Sequence, residues 1–135
     1  MVDLKASVTL MIEQGWNQGK TEVFAPVAAD PMRFHYAGVP RELSVDELCT
    51  IVGRWRAAFP DLRMEIDELV TEGDIVAALM TFTGTHMGPW AGAEPTGRQI
   101  RMAMTLFFRF EDGTLVEIWE LDDQLGFRRQ LGLIN

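Results

Sequence analysis

The stretch from Met102 to Asp123 constrains this chain more than any other. Two β-rich runs, Met102–Phe110 and Leu115–Asp123, flank Glu111-Asp112-Gly113-Thr114. Asp-Gly supplies the positive-φ residues that a tight hairpin turn needs. Because side chains alternate along a strand, a two-residue turn fixes what each residue faces. It sets Phe110 opposite Leu115, Phe108 opposite Glu117, Leu106 opposite Trp119, Met104 opposite Leu121 and Met102 opposite Asp123. On this register Asp123 stands at the end of an apolar wall. Its neighbour Asp122 falls on the other face with Arg101, Thr105, Arg109 and Glu120, among which lie Phe107, Val116 and Ile118. A carboxylate among apolar side chains is desolvated, which raises its pKa toward the range useful for proton transfer. Asp123 is therefore the candidate base. The competing reading is a strand-end Asp that caps the following segment, and a bulge in the strand would break the parity argument.

The remaining elements follow from periodicity and punctuation. Leu4, Val8, Met11, Ile12 and Trp16 keep helical spacing over 3–16, with Gly19 as a stop. Thr21 caps a short second helix through Val23 and Phe24. Residues 32–37 alternate as a strand, Phe34 and Tyr36 on one face, Arg33 and His35 on the other. His35 is either a pocket acid/base or a surface side chain. Ser44-Val45-Asp46-Glu47 is a capping box opening a helix that runs to about Phe59, with Leu48, Ile51, Val52 and Trp55 on its buried stripe and Pro60 beyond. A strand at 62–67, a turn at Glu72-Gly73-Asp74 and an almost continuously apolar strand at 75–83 come next; the last pattern predicts cover on both faces. Residues 87–97 form a Gly/Pro-rich loop, where Trp90 is either a lid or a rim residue. His86, just before the loop, either contacts substrate or fastens the loop by a side-chain hydrogen bond. Trp16, Trp55 and Trp119 are expected in the core, Trp90 outside it.

Helices early and a meandering antiparallel sheet late make an α+β chain, a single domain over 1–135. A net charge of −8 with no basic cluster argues against nucleic acid as a partner. Two histidines and one cysteine give no metal spacing, and no phosphate loop or nucleophile elbow occurs. No apolar run is long enough to span a membrane and no signal peptide is evident, so a cytoplasmic location is expected; the lone Cys49 excludes an internal disulfide.

Several stretches, in order, resemble the SnoaL-like polyketide cyclases of the nuclear-transport-factor-like and ketosteroid-isomerase-like superfamily. They are Trp16-Asn17-Gln18-Gly19, His35, Phe59-Pro60-Asp61, Glu72-Gly73-Asp74, Gly84-Thr85-His86-x-Gly88, Pro95-Thr96-Gly97-Arg98, Asp112-Gly113, Trp119-x-x-x-Asp123 and Gln130-Leu131-Gly132. The resemblance implies a cone-shaped α+β barrel, a curved antiparallel sheet wrapped round three helices with an apolar pocket. It implies cofactor-free acid/base chemistry, an aldol cyclisation or isomerisation of a hydrophobic polyketide-like carbonyl compound, with Asp123 matched to the family's base. The implied site is Asp123 and His35 as catalytic groups, with Trp16, Tyr36, Trp55, Trp90, Met102, Met104, Leu106, Phe108 and Trp119 lining the pocket and no metal. The family's polar Gln and His partners fall on Met104 and Leu106 here, which leaves a tailoring hydroxylase and a non-catalytic binding module as alternatives. The Asp-Arg-Asp set of limonene-epoxide-hydrolase-like enzymes falls on Met87, Pro89 and Leu121 and is disfavoured. The apolar residues on the outward hairpin face predict a homodimer or higher homo-oligomer.

Overall fold

A computed structural model describes residues 2–134. The first helix, α1 (Leu4–Leu10), is capped by Asp3, whose side chain accepts from the Ala6 N–H, and continues as a π-helical turn over Met11–Trp16. Gly15 in that turn has a packing reason: a Cβ there would lie 2.5 Å from the Phe24 ring. A 3₁₀ turn at Thr21–Val23 replaces the short second helix. The helix α2 (Val45–Ala58) begins at the expected capping box, with Ser44 Oγ accepting from Glu47 N–H and the Glu47 side chain accepting from Ser44 N–H. A third helix, α3 (Gln124–Gln130), follows the last strand.

Six strands form one open, mixed, curved sheet: β1 (Ala28–Tyr36), β2 (Val39–Leu43), β3 (Arg63–Glu72), β4 (Ile75–Thr85), β5 (Gln99–Glu111) and β6 (Thr114–Asp122), in the order β2-β1-β6-β5-β4-β3. The α+β cone is as expected, but the sheet is neither closed nor wholly antiparallel, since β1 runs parallel to β6. The core lies between the concave face and the helices, where Val8, Val52, Phe59, Val76, Phe82 and Leu115 are fully buried. Strand β4 is covered on that face alone; Ile75 and Leu79 on the other are exposed, contrary to the two-sided cover its composition suggested. Among the described residues no helix is long and apolar enough to cross a membrane.

The hairpin forms at the predicted turn, with Asp112 at φ 49° and Gly113 at φ 80°. Phe110 pairs with Leu115 as expected, but Arg109 then pairs with Glu117: Val116 is the extra residue of a β-bulge. From there Phe108 faces Ile118, Phe107 faces Trp119, Leu106 faces Glu120 and Met104 faces Asp122. Every side chain from Glu117 to Asp122 is thereby moved to the face opposite the one the unbulged register gives.

Part of this exchange stabilises the fold. Ile118 enters the core at 8% exposure, and Glu117 leaves it to accept from Arg109 Nε at 2.9 Å. The rest does not. Trp119 and Leu121 leave the concave face, Leu121 at 61% exposure, and two carboxyl groups, Glu120 and Asp122, take their places. An apolar wall that gives up Trp and Leu for two acids departs from what packing alone would select, and such departures concentrate at functional sites.

Candidate functional site

The concave face and the helices enclose a cavity of about 290 Å³. The first helix and its π turn contribute Met11, Ile12 and Trp16; α2 contributes Leu48, Ile51 and Trp55; the sheet contributes Phe34, Met102, Met104, Leu106 and Phe108. Trp90 reaches in from the 87–97 loop and packs on Trp55 with ring centroids 4.0 Å apart. Among the described residues, the polar side chains in the lining apart from the tryptophans are Tyr36, Glu120, Asp122 and Gln124, and they are grouped around Asp122.

Their grouping follows from the strands. Inward residues alternate on β1 and β6, and the parallel register sets Phe34 beside Ile118 and Tyr36 beside Glu120. Glu120 and Asp122, two apart on β6, share its inner face. Tyr36 Oη donates to Asp122 Oδ1 at 2.7 Å, and Gln124 Nε2 donates to the same oxygen at 3.1 Å. Burial, then the hydrogen bond to Asp122, raises the Tyr36 pKa well beyond the ordinary phenol value, so this hydroxyl stays a donor. Glu120 keeps some accessible surface because it lines the cavity, but protein atoms crowd its carboxyl group. Desolvation first, and then its hydrogen bond and charge interaction with Asp122, push its pKa well above the ordinary carboxyl value. The folded protein therefore favours the protonated form of Glu120, while Asp122 accepts from Tyr36 and Gln124.

Asp123 is not in this group. Parity shifted by the bulge turns it out of the cavity, where its Oδ1 accepts from Gly126 N–H at 2.9 Å as the N-cap of α3. Its position in the wall belongs to Asp122. His35 is likewise outside, on the convex face: Nε2 donates to Glu117 Oε2 at 2.6 Å, and the ring stacks on Trp119 at 4.8 Å. Burial works to raise the Glu117 pKa, but hydrogen bonds from His35 and Arg109 outweigh it and hold the carboxyl below its ordinary value. Trp119 is therefore a convex-face residue, not a pocket one. Of the residues expected in the pocket, Trp16, Tyr36, Trp55, Trp90, Met102, Met104, Leu106 and Phe108 line this cavity. The contrast drawn between Trp90 and the other three tryptophans does not hold, since all four are partly buried. Glu120 and Gln124 were missed; the signal that pointed to them was Glu117, which the unbulged register sets against Phe108 although Arg109 is next in line.

Other motifs of the chain hold the walls in place. Asn17 bonds both ways with the Met64 backbone, Nδ2 donating at 2.9 Å and Oδ1 accepting at 2.7 Å, while Arg56 donates to the Trp16 and Asn17 carbonyls. Together they fix Trp16 at the cavity. Asp61 accepts from the backbone N–H and the hydroxyl of Thr85, both at 2.7 Å; the backbone bond is the main reason its pKa lies below the ordinary value. Thr96 N–H donates to the buried His86 Nδ1 at 3.2 Å, which closes the base of the loop that carries Trp90. The loop-fastening reading of His86 is the one this geometry fits.

The model of the SnoaL-like polyketide cyclase family matches residues 6–131. Among solved structures, TsrD from Streptomyces laurentii is 30% identical, with a TM-score of 0.84 over 99% of this chain and 100% of that one. IdmH from Streptomyces antibioticus, a candidate polyketide cyclase, is 27% identical, with a TM-score of 0.83 over 97% and 99%. AclR from Streptomyces galilaeus, a candidate hydroxylase, is 26% identical, with a TM-score of 0.85 over 98% and 97%. No curated protein matches the chain.

Proposed function

The chain belongs to the SnoaL-like polyketide cyclase family, and on that premise we propose that it is an acid/base enzyme whose working groups are Asp122 and Glu120. The substrate is a hydrophobic carbonyl compound. Asp122 removes a proton from the carbon next to the carbonyl group. The Glu120 carboxyl group, kept protonated by its surroundings, donates to the carbonyl oxygen as negative charge develops there. The resulting enolate closes a ring on a second carbonyl of the same molecule or is reprotonated at another carbon. Tyr36 and Gln124 position Asp122 by holding one of its oxygens. No step calls for a cofactor.

The observation that carries this reading is the bulge at Val116, which seats two acids in an apolar wall at the expense of Trp119 and Leu121. A positioned acid/base contributes roughly 10²–10⁴-fold in rate. Tetralone, a small bicyclic ketone, in deuterated buffer provides the test. The protein should accelerate exchange of the protons next to the carbonyl, followed by mass spectrometry, and the double variant Glu120→Gln/Asp122→Asn should not. Binding of the ketone without exchange would favour a binding module instead.

The likeness to AclR favours one second reading, a tailoring hydroxylase. It would start from the same deprotonation, and oxygen uptake coupled to turnover of the ketone would identify it. We also propose that the convex face pairs copies of this chain, because Ile75, Leu79, Phe107 and Leu121 lie exposed on it. Phe107 is as predicted, but Ile118, which the unbulged register placed on this face, lies in the core.

A further inference from the structure

The charge inside the cavity is one-sided. Among the described residues, Tyr36, Glu120 and Asp122 are the titratable side chains in its lining, and no Lys, Arg or His is among them. Asp122 has hydrogen-bond donors but, among the described residues, no cationic side chain beside it in the cavity lining. A partly buried carboxylate in apolar surroundings is stabilised by a cation beside it. Here the lining leaves the partner to be supplied by whatever enters.

Aromatic faces stand next to the same carboxyls. Tyr36 touches Asp122 through its hydroxyl, and its ring stacks with Phe34 at 6.2 Å. Trp16, Trp55 and Trp90 line the rest of the cavity, which has room for a ligand at the small end of the usual range for such sites. Aromatic faces with a carboxylate at one end are the surroundings in which an ammonium group is held. An anion would meet the Asp122 carboxylate, whose charge repels it.

We propose that the cavity takes a hydrophobic ligand that carries a protonated amine, with the ammonium group seated on the Glu120–Asp122 carboxyls and the apolar rings against the tryptophans. This rests on the acid/base reading above and narrows its substrate class to carbonyl compounds bearing a basic nitrogen near the reacting carbon. The class suits the chemistry, because a neighbouring ammonium group makes a carbon-bound proton easier to remove. Free carboxylic acids are excluded.

Three probes on a common naphthalene frame test it at neutral pH: naphthylmethylamine, naphthylmethanol and naphthoate, their binding followed by calorimetry on the intact protein. The amine should bind about tenfold more tightly than the alcohol, the scale of a desolvated charge-assisted contact with aromatic support. Naphthoate should bind most weakly. In Asp122→Asn the amine should fall to the affinity of the alcohol, while the alcohol itself changes little. Naphthoate binding as well as the amine, no binding of the amine, or an amine preference that survives Glu120→Gln/Asp122→Asn would each overturn the proposal. Its failure is separable from that of the catalytic reading. Ketone proton exchange without amine preference removes this inference alone, and amine preference without exchange removes the catalytic reading and keeps this one.

Discussion

Replacing Glu120 by Gln should make the protein more stable at neutral and alkaline pH and change the way its stability responds to pH. The folded protein raises the Glu120 pKa well above the ordinary carboxyl value, mainly by desolvation and then through Asp122. Below the ordinary value the group is protonated in both folded and unfolded chains and contributes nothing to the pH response. Above it the unfolded chain releases the proton and the folded chain keeps it, so the folded state binds more protons and stability falls as pH rises. The slope is about 1.4 kcal/mol per pH unit for one proton, and it ends where the folded protein also ionises. Gln keeps the shape and has no proton to lose. Urea denaturation of both proteins at half-unit steps from pH 4 to 9 should therefore give curves that lie close at the acid end and separate as pH rises, the variant above. Taking the difference cancels contributions of opposite sign, such as those of Asp61 and Glu117, whose lowered pKa values add stability that is lost only in acid. A difference that stays flat across this range, or a variant less stable at high pH, would refute the claim that Glu120 is held as a desolvated acid.

Other consequences follow from single contacts. Asp123→Ala should destabilise the fold by about 0.5–2 kcal/mol through loss of the α3 cap, as measured by denaturant midpoint. Gly15→Ala should cost about 1–3 kcal/mol, because the new methyl group meets the buried Phe24 ring and the core must shift; thermal unfolding measures it, and an unchanged midpoint would mean that the π turn gives way freely. Leu121→Glu should leave the monomer folded but shift sedimentation toward monomer if the convex face joins copies. A wild-type monomer at high concentration would remove that pairing.

Much of the fold could be read from the sequence because its signals are local. The Ser44–Glu47 capping box, the Asp112-Gly113 turn and the helical stripes of Leu4–Trp16 and Leu48–Phe59 need no knowledge of distant partners. Strand β2 was not foreseen, since Val39-Pro40-Arg41-Glu42 is an exposed edge with a proline and carries no alternation. The parallel pairing of β1 with β6 joins residues more than eighty positions apart and leaves no mark in either strand. The register on β6 departs from the expected one at a single residue. A bulge changes no composition and breaks no hydrophobic run, yet it turns every side chain beyond it to the other face. The residues expected on the α2 and β5 walls line the cavity because nothing interrupts those elements, and Asp122 rather than Asp123 faces it because Val116 lies before them.

Asp122 and Asp123 are adjacent, chemically alike and turned in different directions, so the pair tests the central claim directly. The rate of exchange of ketone protons should be measured in Asp122→Asn and Asp123→Asn under conditions where both remain folded. The account predicts a fall of roughly 10²–10⁴-fold in Asp122→Asn and a rate near wild type in Asp123→Asn. The reverse order, with activity lost in Asp123→Asn and kept in Asp122→Asn, would contradict it and would mean that the strand does not carry the bulge in its working form.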